Sequence, residues 1–291
     1  MRHLSKTAVL IAVISVWFCG SVAKAAEQPK ITVDELVARH VASIGDAAAR
    51  NAAKSRAVAG PLVFRITRSG GGEGAGKATL LSEGRKIRMV MSVNNANYTG
   101  EDFISDGSKS DIASTASGQR SRLGAFLWTR REIIRDGLIG GTLSTAWPLL
   151  DLGATKATLR YNGLKTIDGR SLHELRYEPR KGDSDLQIKL YFDPETYRHV
   201  MTTYEANIAV PAARSIEANS TTANNGAETQ ALHITLKETF SDFRAVDGLM
   251  LPQSWKLEMA SDAPEMPIMD WEINGRTVAH RPLDPAAFKV P

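Results

Sequence analysis

Five histidines follow residue 25: His40, His173, His199, His233 and His280. A metal centre needs His, Cys, Asp or Glu at ligand spacing. None of these histidines has another three, four or five residues away. His40 lies at the edge of an apolar helical stripe and reads as a surface or boundary residue. His173 and His199 fall in strand patterns that give each one face of a sheet. The serine-hydrolase elbow G-x-S-x-G is absent, since Gly107-Ser108 and Gly141-Thr142-Leu143-Ser144 lack the second glycine. Paired carboxylates could cleave a glycosidic bond, but Asp102, Asp106 and Asp183 occupy turn or exposed alternating positions, where turn chemistry and solubility account for them. The segment SGGGEGAGK has the glycines of a phosphate cradle without its G-K-[ST] ending, because Ala78 follows Lys77. It predicts a flexible hairpin connection. The residues that could do chemistry therefore predict no catalytic group, no metal and no cofactor.

The elements that would position a site are mostly strands. Residues 31–46 predict a helix: Thr32 and Glu35 form a capping box, Val33, Leu36, Val37, Val41 and Ile44 share a stripe, and Gly45 supplies a stop. From Val58 the apolar period becomes two. About a dozen short strands follow, with turns at Glu83-Gly84-Arg85, Asp168-Gly169, Asp193-Pro194-Glu195-Thr196 and Asp247-Gly248, and with Asn274-Gly275 opening a last one. Such a chain predicts one connected antiparallel sheet. Residues 211–230 are small and polar and predict a long mobile loop.

One stretch breaks the strand pattern. From Ser121 to Leu149 apolar residues recur near helical spacing, with a helical insert predicted over about 121–140 ended by Gly140-Gly141. Leu123, Phe126, Leu127, Trp128, Ile133, Ile134, Leu138 and Trp147 are its candidate ligand-binding residues. Two readings stand: a helix packed on the sheet as core, or a movable apolar lid over a cavity. Trp255 and Trp271 read as core or cavity wall.

The N-terminus carries a separate message. Arg2 and Lys6 precede an apolar run from Ala8 to Phe18, and Ala23-Lys24-Ala25 supplies the small residues a signal peptidase reads. The run is shorter than the ~20 residues a membrane span needs. Residues 1–25 thus predict a cleaved secretory signal and a periplasmic product. Cys19 is the one cysteine; the bulky Phe18 before it disfavours lipid attachment. Cleavage removes Arg2, Lys6 and Lys24 from the 36 Lys+Arg and none of the 32 Asp+Glu, leaving 33 against 32. The basic excess that nucleic-acid binding requires is then gone.

Order and local phrasing resemble the periplasmic lipoprotein-carrier group, the LolA/LolB-like superfamily of outer-membrane lipoprotein-sorting proteins. The phrases are ITVDELVARHVASIG before the first strands, the insert LGAFLWTRREIIRDGLIGGTLSTAWPLL, the units YFDPETYRHVMTTYE and FSDFRAVDGLMLPQSWKLEM, and the tail PLDPAAFKVP. The resemblance covers most of residues 31–291. It implies an α+β fold that is mainly β: a large curled antiparallel sheet forming a half-open barrel with a helical lid or plug, in a single domain over 26–291. It implies a non-enzymatic carrier or binding protein for a lipid, acyl chain or acylated protein, with outer membrane biogenesis as its setting. The alternative is an envelope sensor or scaffold that binds a membrane protein partner; an envelope hydrolase ranks third. The chain departs from the group in extra length around 114–150 and 211–230. Arg65 and Arg88 are both strand candidates for that group's functional arginine, and neither is singled out.

Overall fold

Thr32 begins the first helix as the sequence predicts: its hydroxyl accepts from the Glu35 amide at 3.2 Å, and α1 (Val33–Ile44) buries Leu36, His40 and Ile44. Gly45 stops it at φ 153°, where a Cβ would lie 2.7 Å from the Gly248 carbonyl oxygen. A second helix, α2 (Ala47–Ala52), is capped by Asp46. Its sequence AAARNA has no apolar stripe, so periodicity does not reveal it. The computed structural model describes residues 31–67, 71–96, 98–113, 120–181, 185–211, 229–264, 266–275 and 277–291. The chain divides into two units, Met1–Ile31 and Thr32–Pro291. The second carries the fold, while the expected signal 1–25 and nearly all of the expected loop 211–230 lie outside the described residues.

The strands are β1 (Ser55–Thr67), β2 (Gly72–Glu83), β3 (Lys86–Val93), β4 (Gly100–Ser105), β5 (Ser110–Ile112), β6 (Thr158–Ile167), β7 (Arg170–Glu178), β8 (Gln187–Phe192), β9 (His199–Pro211), β10 (Thr229–Val246), β11 (Leu249–Ser261), β12 (Ile268–Asn274) and β13 (Thr277–Ala279). They form one sheet in the order β5-β4-β3-β2-β1-β12-β11-β10-β9-β8-β7-β6, with β13 on β1. All pairs are antiparallel. Two meanders meet at the β1–β12 seam, β5 and β6 are the free edges, and the sheet is not closed. The fold is mainly β with a few helices, as expected.

Two local expectations are overturned. SGGGEGAGK is not a loop throughout: Gly72 to Lys77 belong to β2, because small residues let neighbouring backbones close in. A Cβ on Gly76 would lie 1.9 Å from the Ser92 carbonyl oxygen. Gly76→Ala is therefore expected to cost about 1–3 kcal/mol through forced separation of β2 and β3, measured as a lower urea midpoint. Likewise Asn274-Gly275 opens no hairpin. β12 and β13 both pair with β1 and run on along it. Gly60 permits this, since a Cβ there would lie 1.9 Å from the Asn274 carbonyl oxygen.

The insert leaves the sheet at the β5 edge and re-enters at the β6 edge, so it must cross a face. It does so in pieces rather than as one helix: α3 (Arg122–Thr129), α4 (Glu132–Arg135), 3-10 turns at Gly141–Leu143 and Pro148–Leu150, and α5 (Leu152–Thr155). Gly137, Gly140 and Gly141 take positive φ of 74°, 80° and 51°, which breaks the helical run. A Cβ on Gly140 would lie 2.9 Å from Leu80 on β2 and 3.6 Å from Trp255 on β11, and one on adjacent Gly141 would lie 2.8 Å from His199 on β9 and 2.9 Å from Phe240 on β10. On a flat sheet β2 and β9 would stand about 24 Å apart, at ~4.8 Å per strand. One peptide reaches both because the sheet curls around the insert.

Candidate functional site

The inner face of the curl is set by strand alternation. Leu62 and Phe64 on β1, Leu80 on β2, Met89 on β3, Leu236 and Phe240 on β10, and Trp255 and Leu257 on β11 are all buried. Against them the insert presents Leu123, Phe126, Leu127, Ile133, Ile134, Leu138 and Trp147, each at most 1% exposed. Seven of the eight sequence-selected residues are thus buried. Trp128 is not. It is partly exposed, with the guanidinium carbons of Arg120 and Arg131 each 3.6 Å from its ring centre. As a plug the insert fills its place: where Leu80, Met89, Leu143, Trp255 and Ile273 meet, the remaining void is about 10 Å³. Larger hollows among the described residues open outward, about 710 Å³ along α1 and α2 and about 480 Å³ where α2, β1 and the insert meet.

A few polar contacts hold the plug. Glu238, fully buried on β10, accepts from the Gly140 amide at 2.8 Å, from Trp255 Nε1 at 2.9 Å and from the Tyr204 hydroxyl at 2.7 Å. Burial pushes its carboxyl up to about 7, since a charge loses its hydration there. Arg56 on β1, 3% exposed, donates from Nη1 to the Thr142 carbonyl at 2.6 Å. Burial pulls its guanidinium down to about 10, so it stays cationic at neutral pH. Trp147 Nε1 donates to His40 Nε2 at 2.9 Å, and its ring stacks on His199 at 4.5 Å. At the plug's flanks Ser121 donates to Glu101, Tyr177 donates to Asp136 at 3.2 Å, and Arg130 reaches both oxygens of Asp185 at 3.0 Å.

His40 corrects an expectation. It is no boundary residue but fully buried; Nδ1 lies 3.0 Å from the Tyr197 carbonyl oxygen. Burial lowers its pKa to about 4, and lowers that of His199 well below the ordinary value. Both rings are neutral at physiological pH, and the two ring centres lie 6.3 Å apart. Among the described residues no group of three or more His, Cys, Asp or Glu could hold a metal. The two arginines raised from sequence face outward, Arg65 with Glu73 and Glu272 and Arg88 with Asp102. Arg56 was missed because the strand reading began at Val58. It shares the phase of Val58, Leu62 and Phe64, and three more residues of strand would have placed it inward. Glu238 carries the same signal, lying in phase with Leu232, Ile234, Leu236 and Phe240.

No protein-family model and no curated relative matches the chain. Among solved structures it is similar to a LolA superfamily protein from Nitrosomonas europaea, at 12% identity over 90% of this chain and 99% of that one, with a TM-score of 0.49. It is also similar to an outer membrane lipoprotein-sorting protein domain from Vibrio parahaemolyticus, at 10% identity over 87% and 94%, TM-score 0.48. A DUF1329 family protein from Desulfovibrio piger matches at 13% identity over 89% and 98%, TM-score 0.46. Two of the three carry the name of the group that the sequence phrases resemble.

Proposed function

We propose that this chain is a non-enzymatic carrier or binding protein of the bacterial periplasm, taking an acyl chain, a lipid or an acylated protein onto the inner face of its sheet when the insert is displaced. The observation that carries this reading is the plug itself. A curled, unclosed sheet has its apolar inner face covered by a glycine-broken segment of the same chain. A guest and the plug would exchange apolar surface for apolar surface, each buried methylene being worth about 0.8 kcal/mol. The void of about 10 Å³ describes the closed state and requires the plug to move for entry.

Arg56→Leu tests the exchange. It removes the Arg56 bond to the Thr142 carbonyl and weakens the closed state by about 1–3 kcal/mol. Apparent affinity for a fluorescent diacylglycerol, a neutral lipid, is expected to rise by about fivefold or more, because the binding-competent fraction grows. The same measurement on Arg65→Leu, outside the plug, is expected to show no change. Absence of diacylglycerol uptake by both the parent protein and Arg56→Leu, with no lipid co-purifying in native mass spectrometry, would remove the carrier reading.

A further inference from the structure

The groove of about 480 Å³ outside the plug has a composition that the carrier reading does not use. Its wall is formed by α2, the start of β1, the β2–β3 turn and the insert, and Arg50, Lys54 and Arg56 all line it. Arg56 forms its floor. That guanidinium is almost wholly buried, has one hydrogen bond, to Thr142, and leaves Nε without a partner. Lys54 is exposed and makes no ion pair among the described residues. Arg50 spends Nη1 on the Val41 and Gly45 carbonyls at the end of α1, contacts that leave its charge uncompensated. The one acid of the groove, Glu83, is paired with Lys86 at 3.1 Å. Three cations thus converge on a concave site with no counter-charge of their own. Beside them lies apolar surface: Ile44, Ala53 and Leu150. Leu150 is one of two large apolar side chains among the described residues left exposed, at 37%.

We infer that this groove binds an oxyanionic headgroup on a short apolar chain, with the anion toward Arg50, Lys54 and Arg56 and the chain over Leu150. A buried guanidinium with unmet donors is matched by an oxyanion, which accepts several charge-assisted hydrogen bonds at once. An exposed leucine at the rim is matched by methylenes. A neutral headgroup brings no charge to match the three cations, and a cationic one is repelled by them.

The same chemistry is offered by a lipid headgroup and by free phosphate, and calorimetry on the purified protein separates them. The probes are dodecyl phosphate below its micellar concentration, inorganic phosphate, and dodecyl maltoside as a neutral head on the same chain. Dodecyl phosphate is expected to bind at least about tenfold tighter than inorganic phosphate, a gap of about 1.4 kcal/mol. Lys54→Gln, at an exposed position that leaves the fold intact, is expected to weaken both phosphates about fivefold. Leu150→Ser is expected to weaken dodecyl phosphate alone. Equal affinity for the two phosphates, still lowered by Lys54→Gln, assigns the groove to a free oxyanion and overturns the apolar half of the inference. Dodecyl maltoside binding as tightly as dodecyl phosphate, or no heat from either phosphate, overturns it whole. Uptake of a neutral diacylglycerol beneath the plug is independent of Lys54, so either result leaves the carrier reading to its own test.

Discussion

Trp147→Ala lowers the stability of the protein by about 3–5 kcal/mol, the range for truncating a large buried aromatic. The indole is 1% exposed and joins three parts of the molecule. Its ring lies on His199 of β9, its Nε1 donates to His40 of α1 at 2.9 Å, and its backbone belongs to the insert. Truncation leaves a void where packing was tight and strips His40 Nε2 of its donor. That nitrogen is then buried and unpaired, a cost in its own right. Equilibrium urea unfolding reads the loss. Trp147→Phe refills most of the volume and is expected to recover more than half of it. A loss below about 1 kcal/mol for the alanine variant would mean that the plug adds little to the fold, and the tie between α1, β9 and the insert would have to be abandoned.

Glu238→Gln changes how stability depends on pH. In the folded state the Glu238 carboxyl is pushed up to about 7; unfolded, it returns to an ordinary carboxylate value. Between roughly 4.5 and 7 the folded chain therefore holds a proton that the unfolded chain has released. Its stability falls as pH rises through that window, by up to about 3 kcal/mol in all. Glu101, also near 7 for lack of hydration, has the same sign. His40, lowered to about 4 by burial, and His199, lowered well below the ordinary value by the same cause, have the opposite sign: the unfolded rings take up protons first, so their effect raises stability as pH rises towards 6.5. The two effects offset one another in mild acid, and the carboxyls prevail above it. The parent protein is expected to lose stability from pH 6 to pH 8. Glu238→Gln should lose about 1 kcal/mol less over that interval, since the amide keeps an acceptor oxygen for Gly140 and Trp255 and carries no charge. Parallel unfolding curves for the two proteins between pH 6 and 8 would refute this account of Glu238.

Much of this architecture is legible in the chain because it is local. The α1 cap is a hydroxyl three residues from the amide it accepts. The hairpins turn at Asp168-Gly169 and Asp247-Gly248, where both aspartates take positive φ, a conformation those residue types tolerate. What escapes is set at a distance. The seam of β12 and β13 along β1 depends on Gly60 admitting a carbonyl from residue 274, and no short-range pattern records that. The insert's amphipathic period announces a packed helix, yet the three glycines at positive φ make it a broken strap, and only the sheet's curl decides which face it fills. His40 looks like a boundary residue until Trp147, 107 positions later, donates to it. Of the plug-holding residues, Arg56 and Glu238 are readable by strand phase, but the phase becomes decisive only once the strand's start is known.

The seam also governs when this chain can fold. One flank of β1, begun at Ser55, is completed by strands that start at Ile268. Every residue between must be present before the two meanders join. Pairing over so long a loop makes for slow acquisition of structure. During synthesis, which proceeds from the N-terminus, the first meander stays unlatched on one side until the last stretch has emerged.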